Sequence, residues 1–281
     1  MGKIVLAAKI THVPSLLISE REGPLKGSRD EPINSLKELG RRARDRGVDT
    51  FIVFDMHWLS NFGFHINATA LQKGAYTSNE APHMIQNMQY EYRGDPALGE
   101  RIAGHGRAMG LDILSHDIPS LALEYGTIVP MYYMNQDASM KVVSLAANLF
   151  STIEQNRQVG EAVRQAIDET PGNFALLASG SMSHQLITAN ETGDNQWNKM
   201  SNEFNRQVDL RVLDLWKQRR YKEFVDMLPE YSRLCKGEGL MCDTAMLFGA
   251  LGWDQYHGES EQMGEYFPSS GSGQVNVHFS V

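Results

Sequence analysis

Apolar runs and stretches of helical periodicity alternate along the 281-residue chain. Residues 4–8 form an unbroken apolar run that ends at Lys9-Ile10-Thr11-His12, and residues 50–54, rich in β-formers, end at Asp55-Met56-His57. A third run, residues 174–178, leads into Ser179-Gly180-Ser181, and residues 128–134 and 141–146 read as further strands. Between the runs, residues 32–46, 96–109 and 160–169 have helical spacing, the first two closed by Gly47 and Gly110. Residues 196–220 read as one long amphipathic helix in which Phe204, Val208, Val212 and Leu215 share a face, the pattern of core packing. Shorter helices are expected over residues 221–227 and 243–251, then a Gly/Ser turn at 269–273 before a last strand, 274–279. Strands alternating with helices predict an α/β fold with a central, largely parallel sheet flanked by helices. No repeat or long linker divides the chain, so residues 1–281 are expected to form a single domain.

Composition excludes several classes of function. The chain is 42% hydrophobic and 21% charged, which suits a packed core rather than disorder. Its net charge is -8 and its pI about 5.6, without the basic stripe that a phosphate backbone requires. Arg41, Arg42, Arg44 and Arg46 fall in a helical stretch and read as a solvated face. No apolar run approaches the roughly 18 residues of a membrane span. The first residues carry no small-residue cleavage site, and Leu6 stands where a myristoylation signal has Ser or Thr. The expectation is a cytoplasmic protein. Cys235 and Cys242 are read as free thiols. The stretches Ser179-Gly180-Ser181 and Ser270-Gly271-Ser272-Gly273 lack the Lys-Ser/Thr of a phosphate loop, and Gly237-Glu238-Gly239 is acidic, which argues against a nucleotide.

Three of the nine histidines, His12, His57 and His184, fall just past the predicted carboxyl ends of strands, the edge where open α/β sheets bind ligands. One such histidine alone would read as structural, but three at one edge point to a shared site. Pro14 stiffens the turn after His12. Asp55 either turns the chain or accepts an outer imidazole N–H, and Trp58 reads as a packing residue. Glu238, flanked by glycines in a loop that can approach closely, is a candidate third ligand, with Asp243 as the alternative. Against these stand an exposed turn and a helix cap. Two imidazoles and a carboxylate form the facial set of non-heme Fe(II) oxygenases, which leaves up to three positions open; the same set suits catalytic zinc. His65, His83 and His105 read as surface residues.

The motifs Lys9-Ile10-Thr11-His12-Val13-Pro14-Ser15, Ile52-Val53-Phe54-Asp55-Met56-His57-Trp58, Ala178-Ser179-Gly180-Ser181-Met182-Ser183-His184 and Gly237-Glu238-Gly239 together resemble the class III extradiol dioxygenases, the relatives of protocatechuate 4,5-dioxygenase. The runs Leu123-Glu124-Tyr125-Gly126-Thr127-Ile128-Val129-Pro130-Met131 and Ser270-Gly271-Ser272-Gly273-Gln274-Val275-Asn276 resemble the subgroup that acts on 3,4-dihydroxyphenylacetate, and the likeness covers nearly the whole chain. The resemblance implies extradiol (meta) cleavage of a catechol by O2, here of 3,4-dihydroxyphenylacetate to 5-carboxymethyl-2-hydroxymuconate semialdehyde. It implies His12, His57 and Glu238 as ligands of Fe(II), or of Mn(II), and His184 as the acid–base residue. A small aromatic diol and O2 are then the partners, with neither nucleic acid nor membrane, and by resemblance alone the chain is expected to be a homo-oligomer, as its relatives commonly are. Many members of the family carry Asp-His-Gly where this chain has Glu124-Tyr125-Gly126, and their histidine is a second active-site imidazole. Here either the Tyr125 phenol or the His116 imidazole could take that place, or Tyr125 is a packing aromatic only. An anionic substrate side chain calls for a cation or a nest of N–H groups, which the sequence does not identify. Two rival readings use the same residues: a zinc hydrolase and a non-catalytic metal-binding interaction subunit.

Overall fold

The computed structural model describes residues 1–187 and 197–281. The first part contains β1 (Gly2–Ile10), α1 (Ser15–Ser19), α2 (Asp30–Asp45), β2 (Thr50–Ser60), β3 (Phe64–Asn67), β4 (Leu71–Tyr76), β5 (Met88–Arg93), α3 (Pro96–Ala108), β6 (Ile113–His116), α4 (Tyr125–Met134), β7 (Lys141–Asn148), α5 (Ile153–Asp168) and β8 (Gly172–Ser179). The second contains α6 (Glu203–Lys217), α7 (Tyr221–Leu234), α8 (Cys242–Leu251), β9 (Ser260–Gln262), β10 (Phe267–Ser269), β11 (Ser272–Gln274) and β12 (Val277–Phe279).

Eight strands form one sheet in the order β6-β3-β7-β2-β8-β1-β12-β9. Its middle, β7-β2-β8-β1, is parallel throughout. Antiparallel β12 and β9 extend one side, and β3 joins β7 antiparallel on the other. Along β2, Ile52, Phe54 and Met56 pack into a core shared with α3, α5 and α8, whereas Phe51 and Val53 pack into a second core shared with α2 and α4. Burial on both faces explains why the central strands read as unbroken apolar runs rather than as alternating ones. The α/β architecture expected from the sequence is the one observed.

The largest departure is residues 128–134, which lie in helix α4 rather than in a strand. Nine of its ten residues are buried, so no polar face marks its period. A short apolar run without periodicity cannot be assigned by pattern alone. The long helix expected over residues 196–220 is α6, which starts at Glu203, where the Asn202 side chain caps it by accepting from the Asn205 N–H; Gln196 lies outside the described residues. Val212 and Leu215 are buried as expected, but Phe204, in its first turn, is exposed. The last strand is two, β11 and β12, and the short β3 to β6 escaped notice because none carries a sustained apolar run.

The segment leaving β8 is held by a buried carboxylate on α6. Asp209 accepts from the hydroxyls of Ser183 at 2.7 Å, Tyr231 at 2.8 Å and Tyr266 at 2.6 Å. Burial pushes its carboxyl above the usual range, against the pull of these donors. Because each orphaned buried donor costs about 1–3 kcal/mol, Asp209→Ala is expected to lower stability by about 3 kcal/mol or more, measurable by urea denaturation.

Candidate metal centre and cavity

Three adjacent strands deliver the site. His12 follows β1, His57 lies near the end of β2, and His184 follows β8, so the order β2-β8-β1 brings together side chains far apart in sequence. The register of β2 against β7 jumps between Asp55, opposite Ala146, and Leu59, opposite Ala147. Met56, His57 and Trp58 are therefore pushed out of the ladder as a bulge. Asp55 Oδ1 stabilises it by accepting from the backbone N–H groups of His57 (2.7 Å) and Trp58 (3.1 Å), and Oδ2 accepts from the Thr127 hydroxyl on α4 at 2.6 Å. Asp55 thus turns the chain; its bonds go to backbone and hydroxyl, not to an imidazole. The close approach of α4 requires Gly126, since a Cβ there would lie 2.0 Å from Asp55 Oδ1.

Glu238 opens a 3-10 turn, Glu238–Met241, in which Gly239, Leu240 and Met241 all have left-handed backbone angles (φ 48°, 59° and 60°). Such a run in non-glycine residues costs energy and marks a segment held by its surroundings. At Gly239 a Cβ would fall 1.7 Å from Met56 Cε, so any side chain there would have to displace that methyl as well as adopt a left-handed backbone conformation that glycine takes most readily. The Ser183–Gly237 bridge and the His184 N–H donating to Lys236 O at 2.9 Å set this turn beside the segment after β8. Glu238 Oε2 accepts the backbone N–H of Ser181, which leaves Oε1 facing the histidines.

The donor atoms of His12, His57 and Glu238 all lie within 4.8 Å of one another. Glu238 Oε1 is 3.2 Å from His12 Nε2, 3.9 Å from His57 Nε2 and 4.0 Å from His184 Nε2. The hydrogen bonds fix the His12 tautomer. Ser179 Oγ donates to Gly126 O at 2.5 Å, so it accepts from His12 Nδ1–H at 3.0 Å, and neutral His12 points the Nε2 lone pair at a carboxylate oxygen. Two acceptors face each other there, an arrangement that only a proton or a metal cation between them makes favourable. The residues fit a metal ion on that ground, and Ser179 supplies the outer hydrogen bond that ligand imidazoles need. Burial pushes His12 down, yet the Glu238 charge and hydrogen bond lift it above its ordinary value overall. His57 is lowered to about 3, first by burial and then by the charge of His12. Burial disfavours the Glu238 anion, but the surrounding imidazoles hold its carboxyl well below the usual range.

Of the remaining sequence candidates, Tyr125 is at the site and His116 is not. The Tyr125 ring lies 3.6 Å from that of His57, centre to centre, with its hydroxyl against His57 Nε2 and donating to Glu80. Burial, then the Glu80 carboxylate, push the phenol pKa up. His116 sits on β6, the outermost strand, with Nε2 2.8 Å from Nδ1 of His65, and it does not line the cavity. Its nearness in sequence to Tyr125 does not bring it near in space. Asp243, the alternative carboxylate, instead pairs with Lys9 at 2.5 Å, both side chains fully buried. Trp58 packs half-buried, its ring 6.4 Å from that of His65.

These residues floor a cavity of about 300 Å³, walled by Val13, Pro14, Ala81, Met84 and Leu186 and, on another side, by Ser15, Ser269, Ser270 and Ser272. Sequence reading missed Glu80, which no motif marks, and a buried polar layer in which Thr11 Oγ1 donates to Gln274 Oε1 and Gln274 Nε2 to Ser181 Oγ, both at 2.6 Å. It also missed the Lys9–Asp243 pair, although a lysine inside an apolar strand is itself a signal that a partner is buried with it.

Fold and site together define a family. The chain matches the catalytic LigB subunit of aromatic ring-opening dioxygenase over residues 6–280 and belongs to that family. It is 49% identical over 262 residues to the 3,4-dihydroxyphenylacetate 2,3-dioxygenase of Escherichia coli, covering 92% of this chain and 94% of that one. A 2-aminophenol 1,6-dioxygenase beta subunit from Pseudomonas sp is 24% identical over 243 residues, 82% of this chain and 79% of the relative. The crystal structure of an uncharacterized protein from Escherichia coli K12 shares the fold, with a TM-score of 0.65 at 16% identity over 98% of this chain and 99% of that one. No helix among the described residues is long and apolar enough to cross a membrane.

Removing one member of a fully buried ion pair strands the other, at a cost of about 3–5 kcal/mol. Lys9→Met and Asp243→Leu are each expected to destabilise on that scale, and the Lys9→Met/Asp243→Leu double variant less than their sum, in a thermal-unfolding double-mutant cycle.

Proposed function

We propose that this chain opens the ring of a catechol with O2, outside the diol, and that 3,4-dihydroxyphenylacetate is its substrate. The observation that carries the reading is the His12 Nε2 lone pair set 3.2 Å from Glu238 Oε1, with His57 beside them, at the floor of a cavity sized for one small aromatic ring. The 49% identity to a 3,4-dihydroxyphenylacetate 2,3-dioxygenase supports the choice of substrate. Residues 1–281 are read as one catalytic domain, with His12, His57 and Glu238 as metal ligands. Bound there, Fe(II), or Mn(II) in its place, would supply the electron exchange between diol and O2 that side chains and redox-inert zinc do not.

The chain's own residues do the rest. The low pKa of His57 keeps its imidazole neutral, as a ligand must be, and the Ser179 bond keeps His12 in one tautomer. The buried Val13, Ala81 and Met84, with Pro14, give the ring an apolar wall that keeps water from it. His184, about a third exposed and lining the cavity, holds Nε2 where it can take a proton from a catechol hydroxyl and return one as the ring opens. Tyr125 keeps its proton, donates it in a hydrogen bond to Glu80 and holds its hydroxyl oxygen beside His57.

Anaerobic protein loaded with Fe(II), mixed with a panel of catechols and then with oxygen, should consume O2 and give the yellow semialdehyde. Bound zinc and no oxygen uptake would instead favour a hydrolase. His184→Gln should keep its metal, measured by elemental analysis, and lose roughly 10²–10⁴-fold in turnover. Glu238→Gln should lose the metal. A His184→Gln protein with full turnover would remove the acid–base role.

A further inference from the structure

Arg29 is a buried guanidinium that makes no ion pair among the described residues. Its donors go to neutral acceptors: Nε to Ser15 Oγ at 3.3 Å, and one terminal nitrogen to the carbonyl oxygens of Trp197 and of Pro268, the latter at 3.1 Å. The guanidinium carbon lies 4.7 Å from the centre of the Phe267 ring. Burial lowers its pKa to about 10, which still leaves it charged at neutral pH. A buried charge without a counter-charge is costly and is ordinarily paired.

Ser15 and Trp197 both line the cavity, as does Ser269, the residue after Pro268. Among the described residues, the ionisable ones lining the same cavity are His12, His57, His184, Tyr125, Glu80 and Glu238, with no lysine or arginine. An anionic substrate thus meets two carboxylates directly, and the guanidinium stands one serine behind the wall. Ser15 Oγ accepts from Arg29 Nε–H and lies 3.3 Å from Ser269 Oγ, a second hydroxyl of the cavity wall with which it shares a hydrogen bond in either direction; with Ser269 as that donor, the Ser15 proton is available to a substrate carboxylate, and the cation behind it strengthens the donation.

We propose that Arg29 is the residue that selects catechols bearing an anionic side chain, acting through the Ser15 hydroxyl as a positioning residue for the substrate carboxylate. The proposal rests on the reading of this cavity as the ring-cleavage site and adds the source of its charge preference.

The test compares kcat/KM for 3,4-dihydroxyphenylacetate and for uncharged 4-methylcatechol, on the metal-loaded protein. Arg29→Met should cut the preference for the anionic substrate on the order of ten- to hundredfold, chiefly through KM, with a much smaller change for 4-methylcatechol. Arg29→Lys, which restores the charge, should recover much of the preference. A purely structural role would lower both substrates together. Should Arg29→Met fail to fold, Ser15→Ala, which leaves Arg29 in place, should show a several-fold loss confined to the anionic catechol. An unchanged ratio, or an equal loss for both substrates, in whichever of these two variants folds overturns the proposal. A wild-type protein that cleaves neither catechol overturns the function itself.

Discussion

Glu238 Oε1 faces three imidazole nitrogens, the nearest only 3.2 Å away. A carboxylate so placed, almost wholly enclosed, is tolerable only with positive charge at its centre, and much of the surrounding structure keeps it there. Oε2 is tied to the Ser181 N–H, the carboxylate-bearing turn is wedged against Met56, and the nearby Lys9–Asp243 pair links the strand that leads to His12 with the helix that follows Glu238. Low dielectric strengthens each of these contacts and penalises the loss of any one of them.

The same enclosure accounts for what could be read in the sequence. The strands carrying His12, His57 and His184 are buried on both faces, so their residues are apolar without interruption, and a histidine just beyond each run stands out. The edge at which they meet follows from a parallel α/β sheet. Helix α4 was illegible for the converse reason, since burial on all sides erases the period that distinguishes a helix. Glu238 was visible only through its flanking glycines, and what those glycines do, one of them clearing Met56, depends on contacts across nearly two hundred residues of chain.

Neighbourhood in sequence also misled. His116 and Tyr125 are nine residues apart, yet one ends an outer strand and the other begins a helix that packs beneath the site. Lys9, by contrast, was a signal left unused. Arg29 carried no signal at all, because only the folded chain shows a cation whose acceptors, among the described residues, are all neutral.

The bulge in β2 ties the aim of one imidazole to the parity of a whole strand. Residues 51 to 54 alternate strictly between two cores, so sliding β2 by a single position would exchange their faces, put Phe51 and Ile52 into the wrong layers, and turn the expelled triplet through half a rotation. The packing that forbids this slip lies well away from any chemistry. His57 is therefore oriented by hydrophobic contacts it never touches, and the sheet's interior acts as the jig in which the site is machined.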